Sequence, residues 1–271
     1  MNRKMKEFSF DMSKQVNLDA AEEPALLQLI LMATNLVDHA KDSGLILRLA
    51  GGLACWCHSP EAADLLSMRV APYSDIDFAA RMTDKDALTR LFASHGFHED
   101  LRTATVPGLR RSLLKSPETD QLVDVSYDVL EYNHRIVLRD RITVDYPTLS
   151  PSDLLLQKLQ IVEFTQKDCC DAMMLVIAHE VSEQEGNCLN IKYLAELCSS
   201  DWGLWRTATG NLHALGLRLD EWPLAEARKR AAQKRLEALS YGLHTCQKSI
   251  GWKLRSLLGD RVPWYTAVDC L

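Results

Sequence analysis

No stretch of about 18 consecutive apolar residues occurs in this chain, which leaves no candidate for a membrane-spanning helix and no membrane partner. Positive charge is not in excess either. Lys and Arg number 31 against 37 Asp and Glu, a formal net charge of -6, which argues against broad nonspecific binding to nucleic acid while leaving room for a local basic patch. Paired Cys-x-x-Cys motifs are absent. The eight cysteines are scattered, and the one cluster, Cys55-Trp56-Cys57-His58, has the wrong spacing for a zinc site and no second pair. Ordinary buried thiols are expected instead. Met1-Asn2-Arg3-Lys4 is polar with no apolar signal core behind it, so a cytoplasmic location is expected. Internal repeats and low-complexity tracts are also lacking. What remains is a chain of 271 residues, 47% hydrophobic and 25% charged, ordinary for one large or two modest globular domains.

The pattern along the chain changes near residue 150. Before it, helical spacing over 22–43 is followed by a short apolar strand, Leu45 to Leu49, that runs into Gly51-Gly52. Leu53 to Leu66 reads as helix broken by Pro60, Met68 to Tyr73 as loop, and Asp84 to His95 as helix closed by Gly96. Strands are expected around Arg110 to Leu114, Gln121 to Val129 and Arg141 to Tyr146. After Pro147, Ser150-Pro151-Ser152-Asp153 opens a helical half, with segments over 152–163, 167–181, 190–199, 201–213 and 223–257. The fold class is α+β: a small mixed sheet in an α/β domain over 1–150, then a helical domain over 151–271.

Chemistry concentrates in Ser74-Asp75-Ile76-Asp77-Phe78. On a strand, residues two apart share a face, so Asp75 and Asp77 project together while Ile76 and Phe78 enter a core. Side-by-side carboxylates repel, and a divalent cation with oxygen ligands is the usual relief. A third carboxylate is expected on a neighbouring strand. Leu122-Val123-Asp124-Val125-Ser126-Tyr127-Asp128 supplies it: Val123, Val125 and Tyr127 share one face, and Asp124, Ser126 and Asp128 the other. Asp124 lies mid-strand, where aspartate is disfavoured without a purpose. Gly51-Gly52, between a strand and a helix, would let the backbone approach a phosphate, although a tight turn explains it equally well. Lys158 sits on the apolar face formed by Leu154, Leu155, Leu159 and Val162. A lysine there must snorkel, find a carboxylate or meet an anionic ligand. Asp168 and Asp171 open the next helix, either as partners of its dipole or as a charge clamp on Lys158.

This order of Gly-Gly, Asp-x-Asp, a third Asp and a central helical lysine resembles the nucleotidyltransferase superfamily of the DNA polymerase β type. The antibiotic nucleotidyltransferases are similar in Asp84 to Leu91 with His95-Gly96-Phe97, and the AbiEii-type toxins in Leu154 to Leu159 with Lys167-Asp168 and Asp171. The resemblance implies a palm-like catalytic domain. It implies that Asp75, Asp77 and Asp124 are catalytic and bind Mg2+ (or Mn2+), with Asp124 a possible base. It further implies that Gly51, Gly52, Ser74, Lys158 and Asp168 bind the nucleotide, ATP or another NTP. The implied reaction is in-line attack of an unknown acceptor hydroxyl on the α-phosphate, with pyrophosphate leaving. Two alternatives stand beside it. One is a toxin acting on tRNA with an antitoxin partner, for which Arg228, Lys229, Arg230, Lys234 and Arg235 offer a basic cluster that is otherwise a solvated helix face. The other is a catalytically weak nucleotide-binding module. The tryptophans Trp202, Trp205, Trp252 and Trp264 read as core rather than as stacking platforms.

Overall fold

A computed structural model of the chain describes residues 22–69, 72–100 and 109–267. Met1 to Lys4 lies outside the described residues. Helix α1 (Glu22–Asp42) buries Leu26, Ile30, Ala33, Val37 and Ala40, one stripe at helical spacing. Gly44, at φ +73°, ends its turn. Strand β1 (Leu47–Ala50) leads directly into α2 (Gly51–His58) and a 3₁₀ segment (Pro60–Met68). Strand β2 (Asp75–Ala80), α3 (Lys85–Ser94) and strands β3 (His98–Glu99), β4 (Arg111–Lys115) and β5 (Leu122–Tyr127) complete a five-stranded sheet of order β1-β2-β5-β4-β3. Only β2 and β5 run parallel within it, so the sheet is mixed. The alternation expected of β2 holds: Ile76 and Phe78 are buried, and Phe78 meets Phe92 of α3 with ring centroids 5.9 Å apart.

The helical half begins with α4 (Pro151–Leu159), capped by Ser150, whose hydroxyl accepts from the Asp153 N–H. All nine of its residues are buried, so α4 is a central element rather than a surface one. Helix α5 (Gln166–Ala178) starts with a capping box of Thr165 and Asp168. Helices α6 (Ile191–Ser200), α7 (Trp202–Leu217), α8 (Glu226–Thr245) and α9 (Ile250–Ser256) follow. One continuous apolar cluster joins Ile76 and Val125 of the sheet to Trp56, Leu154 and Met173. Among the described residues, no helix is long and apolar enough to cross a membrane.

Three sequence expectations are corrected. Arg141 to Tyr146 is a series of turns, not a strand. The Arg141 guanidinium clamps Asp153 at 2.9–3.2 Å and also bonds Glu185, which draws the segment toward α4 and away from any sheet edge. The strand read through Val129 ends at Tyr127. Asp128 turns the chain at φ +59°, so it leaves the face it was expected to share with Asp124. Its buried carboxylate accepts from Arg110, Arg139 and the Met82 N–H, and β6 (Val129–Glu131) and β7 (Arg135–Val137) form a separate pair beyond it. The helix expected over 223–257 is two helices. Ser249 breaks it by capping α9 while its own N–H bonds the Ser199 carbonyl at the end of α6.

Candidate active site

The parallel pairing of β2 and β5 sets Asp77 directly opposite Asp124. Asp75, two residues earlier on β2, belongs to the same face by strand periodicity, is exposed and pairs with Leu122. Asp77 and Asp124 are partly buried. Burial, then the nearby Asp124 and Asp75 charges, push the Asp77 carboxyl up to about 7, against a smaller opposing pull from Lys158 and Lys167.

The glycine turn abuts that carboxylate. Gly51 adopts φ +64°, and a Cβ placed on it would lie 1.8 Å from Asp77 Oδ2. Both the conformation and the space require glycine. Its N–H donates to Gln157 Oε1 at 3.0 Å, and the Gln157 side chain also bonds the Tyr132 hydroxyl. A Cβ on Gly52 would meet Tyr73 Cε1 at 2.8 Å and Asp171 Oδ2 at 3.0 Å. Ala50 at the N-cap supplies no side-chain bond to the first turn of α2. Ser74 is exposed; its hydroxyl donates to Asp75 Oδ1 at 3.4 Å.

Lys158 faces carboxylates behind the turn. Its Nζ is 2.9 Å from Asp171 Oδ2 and 3.5 Å from Asp168 Oδ1. Burial alone would lower its pKa, but Asp171 and Asp168 outweigh burial and hold it above the ordinary lysine value. Asp171 is fully buried and also takes Arg69 Nε at 3.1 Å and the Tyr73 hydroxyl at 3.3 Å, with the Arg69 guanidinium stacked 3.7 Å from the Tyr73 ring centre. Asp168 closes the cap of α5, its Oδ2 accepting from Thr165 Oγ1 at 2.6 Å.

Sequence reasoning missed Arg111, Tyr132 and Gln157. Arg111 on β4 grips both oxygens of Asp124, with contacts of 3.0, 3.0 and 2.7 Å. The hydrogen bonds to Asp124 raise the guanidinium pKa further. The pairing is diagonal: Arg111 is in register with Ser126, and Leu113 with Asp124, so only the sheet register reveals it. Tyr132, beside the same carboxylates, has its pKa raised by burial, then by Asp77 and Asp124.

Among the described residues, no three His, Cys, Asp or Glu side chains are gathered into a ready metal-binding group. The donor chemistry fits a hard divalent cation all the same. Asp75, Asp77 and Asp124 offer only carboxylate oxygens, and burial and mutual repulsion both disfavour the Asp77 charge, a penalty that a cation would relieve. Elsewhere, Cys55 and Cys57 are buried free thiols, and His58 bonds Thr148 Oγ1 at 2.6 Å with its pKa lowered to about 4 by burial. In the basic cluster, Arg228 is paired with Asp64, Lys229 with the Asp220 carbonyl and Arg235 with Glu180. Trp205 packs edge-on against Trp252 at 5.1 Å, as does Trp202 against Trp264 at 6.4 Å.

No protein-family model and no curated protein matches the chain. Among solved structures it is similar to the antibiotic-resistance factor ANT(2'')-Ia in solution, at 13% identity and TM-score 0.34, covering 57% of this chain and 83% of that one. It is similar to ANT(2'')-Ia in complex with adenylyl-2''-tobramycin, at 14% identity and TM-score 0.33, covering 56% of this chain and 87% of that one. An antigenic nucleotidyltransferase-like protein from Paracoccidioides brasiliensis is similar over 86% of this chain and 96% of its own, at 14% identity and TM-score 0.36. Likeness at this level says nothing about the activity of this chain.

Proposed function

We propose that the chain is a metal-dependent nucleotidyltransferase that moves a nucleoside monophosphate from an NTP to an acceptor hydroxyl and releases pyrophosphate. The observation that carries this reading is the placement of Asp77 beside Asp124 across parallel strands, with the Gly51 turn pressed against Asp77. Asp75, Asp77 and Asp124 would hold Mg2+ or Mn2+, which when bound neutralises charge on the phosphates and the attacking oxygen. The Gly51-Gly52 turn and the first turn of α2 present backbone to the triphosphate, with Ser74 at the edge. Lys158, paired with Asp168 and Asp171, would support the turn from behind. The acceptor oxygen attacks the α-phosphorus and passes its proton to the Asp124 carboxylate. A new oxygen–phosphorus bond forms, the bond from the α-phosphorus to the oxygen bridging to the β-phosphate breaks, and that oxygen leaves on pyrophosphate with the electron pair.

Thermal-shift titration with each of the four NTPs, with and without Mg2+, tests this. A ligand at 100 times its Kd stabilises by about 2.7 kcal/mol, roughly 5–10 °C for a chain of this size. That shift is expected only with Mg2+ and is expected to vanish in the Asp75→Ala/Asp77→Ala variant. No shift with any NTP in the wild type would overturn the reading.

A further inference from the structure

Arg111 faces two ways. One side grips Asp124, and the other lines a cleft of about 540 Å³ between β4, the β6–β7 pair and Thr266-Ala267. Tyr132 and Ser126 are shared between this cleft and the carboxylate face, so the cleft opens beside the group proposed to take the acceptor proton. Its volume is that of a small-molecule site, which are roughly 300–1,000 Å³.

The charge of its walls is uneven. Arg110, Arg111 and Arg135 line it against a single carboxylate, Glu131. Around it, Arg111 pairs with Asp124, Arg135 with Glu131, and both Arg110 and Arg139 with Asp128, while the Asp77 charge also reaches Arg111 from the carboxylate face. His134 adds no charge, because burial lowers its pKa and its Nε2 is bonded to Thr207 Oγ1 at 2.8 Å. A polycation entering here would meet guanidiniums at close range. An anion would meet a planar donor fork suited to carboxylate or phosphate.

We infer that this cleft is the acceptor site and that it takes a small hydroxyl-bearing anion, whose carboxylate or phosphate engages Arg111 and releases Asp124 from it. The inference rests on the transfer reading only in calling the ligand an acceptor. Binding is measured without nucleotide, so the two can fail separately. Arg111 is then a specificity-determining residue: it selects for negative charge and withholds Asp124 until the acceptor arrives.

Calorimetric titration of the full chain tests this, using glycerol 3-phosphate and glycerate as anionic probes, and glycerol and tobramycin as neutral and cationic ones. The two anions are expected to bind, and their relative affinities separate phosphate from carboxylate as the recognised group. Arg111→Gln is expected to weaken anion binding by about tenfold, the value of one charge-assisted pair. Arg135→Gln, which leaves the Asp124 pair intact and guards against misfolding of the first variant, is expected to weaken it by a few-fold. Anion binding unchanged in both variants would place the anion outside this cleft and overturn the inference. So would tighter binding of tobramycin than of either anion.

Discussion

Two charge clusters flank the Gly51-Gly52 turn, and they are built differently. Behind it, Lys158 and Arg69 face Asp171 and Asp168, with Tyr73 completing the bonds, and the charges balance. In front of it, Asp75, Asp77 and Asp124 share one guanidinium, and burial together with the neighbouring Asp124 and Asp75 charges raises Asp77 to about 7. A buried ion set that is internally compensated holds elements together. One that is left short of its counter-charge is held ready for a partner. The same residue types therefore mark a brace in one place and, on the proposed reading, a site in the other.

Unbalancing the rear cluster should have the largest effect. Asp171→Ala strips the buried Lys158 and Arg69 of their shared carboxylate and is expected to cost about 3–5 kcal/mol in urea unfolding. A fall under about 1 kcal/mol would show that the cluster is not a brace. Next comes the turn between the clusters. Gly51→Ala puts a methyl into Asp77 and forces alanine to φ +64°, so a loss of about 2 kcal/mol is expected, together with loss of Mg2+-dependent NTP stabilisation.

The smallest effect is one of relief. The Asp77 pKa is raised above its unfolded value, so the folded state binds this proton more tightly. Its ionisation then costs stability as pH rises from about 4 to about 7, and the cost is constant above that. Asp77→Asn removes the cost. Asp77 is only partly buried, so solvent screens most of this cost, and the variant is expected to melt above wild type by a few degrees, roughly 3 °C, at pH 7.5 and to converge with it near pH 4. Melting curves of the two proteins across that range check this, and a constant offset would mean that Asp77 is not the titrating group.

Much of the front cluster was legible because it follows strand periodicity. Asp75 and Asp77 alternate with Ile76 and Phe78, and Asp124 alternates with Val123 and Val125, so the shared face could be read from spacing alone. The anomaly of Lys158 on an apolar helical face was equally visible, and the structure shows which of its open solutions the fold adopts. Arg111 was not legible, because its diagonal contact with Asp124 exists only once β4 and β5 are in register. Gln157 lies in a helix whose every residue is buried, and no pattern sets its amide apart. Asp128 continued the alternation of β5 perfectly well in sequence. Only its turn at φ +59°, held by Arg110, Arg139 and Met82, takes it out of the face.

Gln157 has a wider consequence. One amide lies between both halves of the candidate site, its oxygen bonded to the Gly51 N–H and its side chain beside the Tyr132 hydroxyl on the cleft. On the proposed reading, a ligand that shifts Tyr132 would act on the glycine turn through Gln157, and a ligand at the turn would act on the cleft. Such linkage is reciprocal: the factor by which one occupant changes the affinity of the other is the same in both directions. Under the proposed chemistry, Gln157 would couple the affinities of the two substrates, each changing the other's by one shared factor.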